Sequence, residues 1–209
     1  MLVKTYASAV QGVDARTITV EVNTGGAVGF DAKQYFHLVG LPDSAIREGM
    51  MRMEPALKNS GYDIIRLKTI VNLAPADIRK EGAAYDLPIA LAYLAGSRQI
   101  SADELDQYVI MGELSLDGSL RPITGALSIA IQARRENFKG ITLPKANARE
   151  AAIVDNIKVY GVETLAEAAS FLDGHLKLTP TFVETRDEFA ANQSNYEVDF
   201  SDVRGQENI

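Results

Sequence analysis

The sequence predicts an α+β protein, most simply a two-layer sandwich. Three observations carry that prediction. Residues 16–22 alternate strictly, with Ile18, Val20 and Val22 on one side and Thr17, Thr19 and Glu21 on the other, which is the period of a half-buried strand. Residues 87–94 (Leu87, Ile89, Ala90, Leu91, Ala92 and Leu94 among them) are apolar nearly all round, which demands a central helix with a sheet to lie on. From residue 109 onward, strand-like and helix-like stretches alternate. With 209 residues, 46% of them hydrophobic and 23% charged, the chain can bury a core of that kind.

The elements follow in order. Residues 4–11 and 16–22 form a hairpin that turns near Gly12-Val13-Asp14. A Gly-rich stretch (Gly25, Gly26, Gly29) reads as a loop, because no strand–turn–helix context makes it a phosphate site. A short strand at 36–39 leads into Gly40-Leu41-Pro42-Asp43-Ser44, where Asp43 or Ser44 can cap a helix. That helix sets Ile46, Met50, Met53 and Leu57 on one face and ends at Asn59-Ser60-Gly61. A strand at 63–72 turns Ile65, Leu67 and Val71 inward and exposes a positive strip, Arg66 and Lys68. The loop 73–85 precedes the buried helix, with Asp86 as its expected cap and Pro88 in its first turn. A second hairpin, 109–116 with 119–121, turns at Asp117-Gly118. Then come a helix at 123–135, a strand at 140–143, a helix at 148–154 capped by Asn147, a strand at 158–162 and a helix at 164–172.

Residues 173–209 differ. They carry eight acidic and three basic residues of a chain whose net charge is −7, and from about Lys177 they lack sustained periodicity. This predicts a globular body, 1–172, and an acidic, weakly ordered linker, 173–209. Residues 1–172 are then nearly neutral and can present a local basic face.

Several classes of function are excluded. There is no cysteine, so thiolate metal sites, disulfides and cysteine nucleophiles are absent. His37 and His175 lie far apart, which argues against a histidine metal site. No GxxxxGK[ST], GxGxxG, HExxH or GxSxG pattern occurs. No apolar run approaches the ~18–20 residues of a membrane span, and the first ten residues lack a signal-peptide core. A cytoplasmic protein is expected, with no cofactor or metal bound by this stretch itself.

Two segments are informative: Arg79-Lys80-Glu81-Gly82-Ala83-Ala84-Tyr85-Asp86-Leu87-Pro88-Ile89-Ala90-Leu91-Ala92, and Met111-Gly112-Glu113-Leu114-Ser115-Leu116-Asp117-Gly118-Ser119-Leu120-Arg121-Pro122-Ile123-Thr124-Gly125-Ala126-Leu127. The second resembles a block shared by Lon-type protease domains and the C-terminal domain of RadA. The first has the Lys-Glu-Gly-x-x-x-Asp-Leu-Pro-Ile-Ala-Leu form of the Mg-chelatase-like AAA+ ATPases of the YifB/ComM type. Residues 1–22, Val39-Gly40-Leu41-Pro42-Asp43 and Asn72-Leu73-Ala74-Pro75-Ala76-Asp77 resemble the same family. The resemblance covers about 1–172 as the Lon-like, ChlI-type N-terminal domain and implies the fold of ribosomal protein S5 domain 2. Residues 198–209 resemble the lead-in to the family's ATPase module, which implies a fragment ending where that module begins.

The resemblance implies a ring-forming homo-oligomeric ATPase that acts on DNA, a branch-migration helicase used in natural transformation, with ATP and Mg²⁺ held by the ATPase module. It also implies that this domain does not hydrolyse peptides. Ala84 stands where Lon has its serine and Leu127 where Lon has its lysine, and neither side chain can attack a carbonyl or carry a proton. Ser128 would point about 100° away on a helix. At that place two readings remain: a solvated loop with Asp86 capping a helix, or a nucleic-acid site of Arg79, Lys80 and Arg121 together with the Arg66/Lys68 strip. A protein-binding or assembly domain without DNA contact is the alternative function.

Overall fold

The computed structural model of the chain describes residues 1–27 and 36–184. A seven-stranded mixed sheet, in the order β3-β4-β2-β1-β5-β8-β9, forms its frame. β1 (Leu2–Gln11), β2 (Asp14–Ala27) and β4 (Leu67–Ala74) are antiparallel neighbours, β3 (Phe36–Val39) runs parallel to β4, and β5 (Tyr108–Ile110), β8 (Gly140–Pro144) and β9 (Lys158–Val162) continue in parallel from β1. β6 (Glu113–Leu114) and β7 (Leu120–Arg121) make a separate small hairpin. The helices are α1 (Ser44–Asn59), α2 (Asp86–Gly96), α3 (Ala126–Arg135), α4 (Lys145–Ala151) and α5 (Leu165–Leu172).

Every residue of α2 is buried, as its all-round apolar sequence demands. It lies on the face to which Val3, Thr5 and Ala7 of β1 and Ile18, Val20 and Val22 of β2 point; the Thr5 hydroxyl donates to the Pro88 carbonyl at 3.3 Å. α1 packs on α2, and α5 packs on the same side of the sheet, its Phe171 against Tyr108 and Tyr160. α3 and α4 take the opposite face: Gly125 at the start of α3 abuts Val10, and Gly161 of β9 abuts Ala148 of α4.

The α+β prediction holds, and the two-layer arrangement is corrected for half of the sheet. β5 and β8 are buried along their whole lengths, so both of their faces need a helical cover, and a third layer forms there. Beyond the part of β2 that α3 reaches, the outer face of β2, β4 and β3 has no helix among the described residues.

Other corrections are local. β2 runs on through Gly25 and Gly26, where the sequence predicts a loop, because it pairs with β4 as far as Ala27 across a register shift; residues 28–35 lie outside the described residues. β4 starts four residues later than expected and buries Thr69, Val71 and Leu73, while Ile70 is exposed. The expected strand 109–116 splits at Met111-Gly112. Gly112 accepts from Leu87 N–H at 3.0 Å and fits against the Leu87 and Leu120 side chains, where a Cβ would meet carbons at 3.1 Å. Asn147 lies inside α4 instead of capping it, and its amide grips both backbone polar groups of Ile123 at 2.9 and 2.8 Å. The expected weak order from Lys177 does not begin there: Leu178 packs on the core and Thr181 N–H donates to Val159 at 2.7 Å. Residues 185–209 lie outside the described residues.

Candidate functional site

Local chemistry builds the site around the turn before α1. Asp43 caps α1, accepting from Ile46 N–H at 2.9 Å through one oxygen and from Gly82 N–H at 2.9 Å through the other. Gly40 sits at φ 100° with its Cα against the backbone of Leu73, where a Cβ would lie 2.1 Å from the carbonyl oxygen. These contacts bring residues 40–43 beside residues 80–82, and the Asp43 N–H donates to the Lys80 carbonyl at 3.1 Å.

Between that wall and the segment 122–124 runs a groove of about 550 Å³. Val10, Ala83, Ala84, Met111 and Ile123 give it an apolar lining. Its charged lining residues are Asp43, Glu81 and Glu113, with no base among them. Ala84 faces this groove, where the resemblance places a nucleophile. Leu127 is partly exposed, and its backbone N–H donates to Glu150 at 3.1 Å. The Ser128 hydroxyl donates to the Val13 carbonyl at 2.7 Å, so it is tied to the β1–β2 turn and does not substitute for the missing pair.

The five predicted basic residues separate. Lys80 is a correction: it is fully buried, and its ammonium donates to the Gly40 carbonyl at 2.9 Å and to the Pro75 carbonyl. Burial lowers its pKa from the usual lysine value, opposed by the charge of Asp77. A lysine so placed braces two loops and offers no charge to a surface phosphate. Arg79 and Arg121 are exposed at the groove rim, Arg79 3.0 Å from Glu81 and Arg121 4.0 Å from Glu113. Arg66 and Lys68 are exposed at the opposite end of β4. The single patch expected from the sequence is therefore two places, joined by the length of a strand.

Asp86 is the second correction. It is the first residue of α2 and makes no cap; it is completely buried, with Arg52 Nε at 3.0 Å and Leu114 N–H at 3.2 Å. Burial pushes its carboxyl up to about 6, opposed by Arg52 and the Leu114 N–H. Arg52 escaped the sequence reading. The available signal was Gly49 inside α1, since a mid-helix glycine is costly without a close neighbour; a Cβ there would lie 2.0 Å from Asp86 Oδ1.

Among the described residues no group of three or more His, Cys, Asp or Glu could hold a metal ion, and no helix is long and apolar enough to cross a membrane.

Residues 20–147, which contain the groove's Lys80–Tyr85 wall and the β6–β7 hairpin, match the family of subunit ChlI of Mg-chelatase. The chain belongs to the Mg-chelatase-like family of ComM and YifB. It is 37% identical over 203 residues to competence protein ComM of Haemophilus influenzae and 38% identical over 206 residues to the uncharacterized protein YifB of Escherichia coli, covering 97% of this chain in each case. A shorter similarity, 30% over 95 residues, covers 46% of this chain and 20% of the DNA repair protein RadA of Listeria monocytogenes. The chain spans 38% of the length of the ComM and YifB proteins it matches.

Proposed function

We propose that this chain is the non-hydrolysing, Lon-like and S5-domain-2-like part of a cytoplasmic Mg-chelatase-like AAA+ ATPase that assembles as a homo-oligomeric ring and acts on DNA, a branch-migration helicase used in natural transformation. The observation that carries the reading is the 37% identity to a competence protein along 97% of the chain. The similarity to a DNA repair protein supports the same direction. ATP and Mg²⁺ belong to an ATPase module outside these residues. Within the chain the work is positional: Ala84 and Leu127 leave no dyad, so the domain contributes surfaces and not bond cleavage. The exposed bases Arg66, Lys68, Arg79 and Arg121 are the proposed DNA contacts, and Lys80 is not one of them.

A second reading, a protein-binding or assembly domain without DNA contact, is favoured by one observation: the groove lining carries carboxylates and no base, which repels a polyanion. The reading of the whole protein as one that acts on DNA is tested with the longer protein, ATP and Mg²⁺. DNA-stimulated ATP hydrolysis and movement of a four-way DNA junction are expected; ATP hydrolysis indifferent to every DNA offered would reject the DNA reading.

A further inference from the structure

Among the described residues, no helix lies on the outer face of β1, β2, β4 and β3 beyond the reach of α3. Strand register makes it a grid. One row is Lys4, Glu21, Asn72 and Val39; the next is Leu2, Asn23, Ile70 and His37. Lys68 shares the face with Ile70, two residues on, and Arg66 stands just before β4. Leu2, Val39 and Ile70 are exposed by 57, 48 and 38%, apolar area set among bases. Glu21 is the only acid of the two rows, and it already accepts from Asn72 at 2.9 Å and lies 3.4 Å from Lys4. An exposed pair of that kind is weak, so Lys4 can exchange its partner. Asp106 borders the face beside Leu2 and Lys4, and Arg66 already has an interaction of its own, so the bases Lys4, Arg66 and Lys68 outnumber the acids Glu21 and Asp106 by one, while the groove lining carries acids alone.

Resting on the reading of the longer protein as one that acts on DNA, we propose that this open sheet face is where the domain takes single-stranded DNA. Phosphates meet Lys4, Arg66 and Lys68, and unstacked bases lie over Ile70, Val39 and His37. Charge complementarity selects the polyanion and favours this face over the acidic groove lining. The exposed apolar rows select the single strand, because a duplex keeps its base faces hidden from a flat surface. Four strands about 4.8 Å apart give a platform roughly 14 Å wide between the outer strands, enough for a few nucleotides. Three bases supply few phosphate contacts, so one domain binds weakly and a ring of them gains by effective concentration.

The test is a titration of the isotope-labelled 209-residue chain with a ten-nucleotide oligothymidylate, followed by amide chemical shifts at low salt. Shifts are expected around Lys4, Asn23, His37, Lys68 and Ile70, to be at least severalfold smaller with a duplex of equal length, and to fall at least fivefold in apparent affinity in the Arg66→Glu/Lys68→Glu variant, whose remaining spectrum reports that it is folded. Shifts confined to Gly82, Glu113 and Arg121 would overturn the face while leaving the DNA reading in place. Equal or larger shifts with duplex would overturn the single-strand assignment. No shifts with either DNA would overturn the face outright, and the DNA reading would then stand or fall on the junction assay with the longer protein. Shifts on this face caused only by an added protein of the same assembly would make it a protein interface instead.

Discussion

The Arg52 guanidinium reaches across from α1 to the buried carboxylate of Asp86, Nε to Oδ2 at 3.0 Å and Nη2 to Oδ1 at 3.4 Å. The same carboxylate accepts from Leu114 N–H, so one side chain ties α1, α2 and the β6–β7 hairpin together beside the groove. Gly49 makes the approach possible, because any Cβ there would run into Asp86 Oδ1.

Replacing Gly49 with alanine should therefore destabilise the fold although alanine is the better helix former. The steric conflict with a fixed, buried carboxylate costs about 1–3 kcal/mol, against a helix gain of about 1 kcal/mol. A lower urea midpoint with an unchanged slope is the expected outcome.

Asp86 also gives the fold a pH dependence. Its carboxyl titrates at about 6 when folded, against an ordinary value of 3.8, so between those pH values the folded chain holds a proton that the unfolded chain has released. The contribution is full below about pH 4 and is lost as pH rises through about 6, so it favours the folded state on the acid side. The stability difference between parent and Asp86→Asn should shift against the parent by about 2 kcal/mol as pH goes from 4 to 7. A difference independent of pH would show that the carboxyl titrates normally.

Lys80→Met keeps the bulk of the side chain and removes its donors. The Gly40 and Pro75 carbonyls then lose their partner in a buried place, at about 1–3 kcal/mol. Thermal unfolding should show the loss, and any fall in DNA binding by this variant should track its unfolded fraction. Weakened DNA binding in fully folded Lys80→Met would instead put the ammonium at the DNA.

No peptide hydrolysis is expected. With Ala84 and Leu127 at the dyad positions and the Ser128 hydroxyl bound to Val13, an unfolded protein incubated with the chain should stay intact. Cleavage that disappears in Ser128→Ala would contradict this.

Much of the fold was legible because its signals are local. The alternation of residues 16–22 marks β2, and Asp43 caps α1 by accepting from Ile46 N–H at 2.9 Å. β3 and β9 fall where the sequence puts them. What was not legible depends on distant partners. A lysine is ordinarily exposed, and nothing near Lys80 in sequence reveals the Gly40 carbonyl forty residues earlier. Asp86 before an apolar helix has the pattern of a cap, and only packing brings Arg52 to it. The third layer was missed for a related reason: short apolar strands such as β5 and β8 do not announce whether one face or both are covered. Of the candidate site, residue types were readable, while the separation of Arg66 and Lys68 from Arg79 and Arg121 required the sheet.

The most direct test of the central claim, that this domain guides DNA electrostatically, is the salt dependence of DNA affinity in the longer protein, compared between the parent and Lys4→Ala/Arg66→Ala/Lys68→Ala. Phosphate contacts release counterions, at roughly one unit of slope per contact. The triple variant should bind more weakly by about the same factor on every sequence, with a slope smaller by about 2–3 units. Affinity and slope equal to those of the parent would contradict the account.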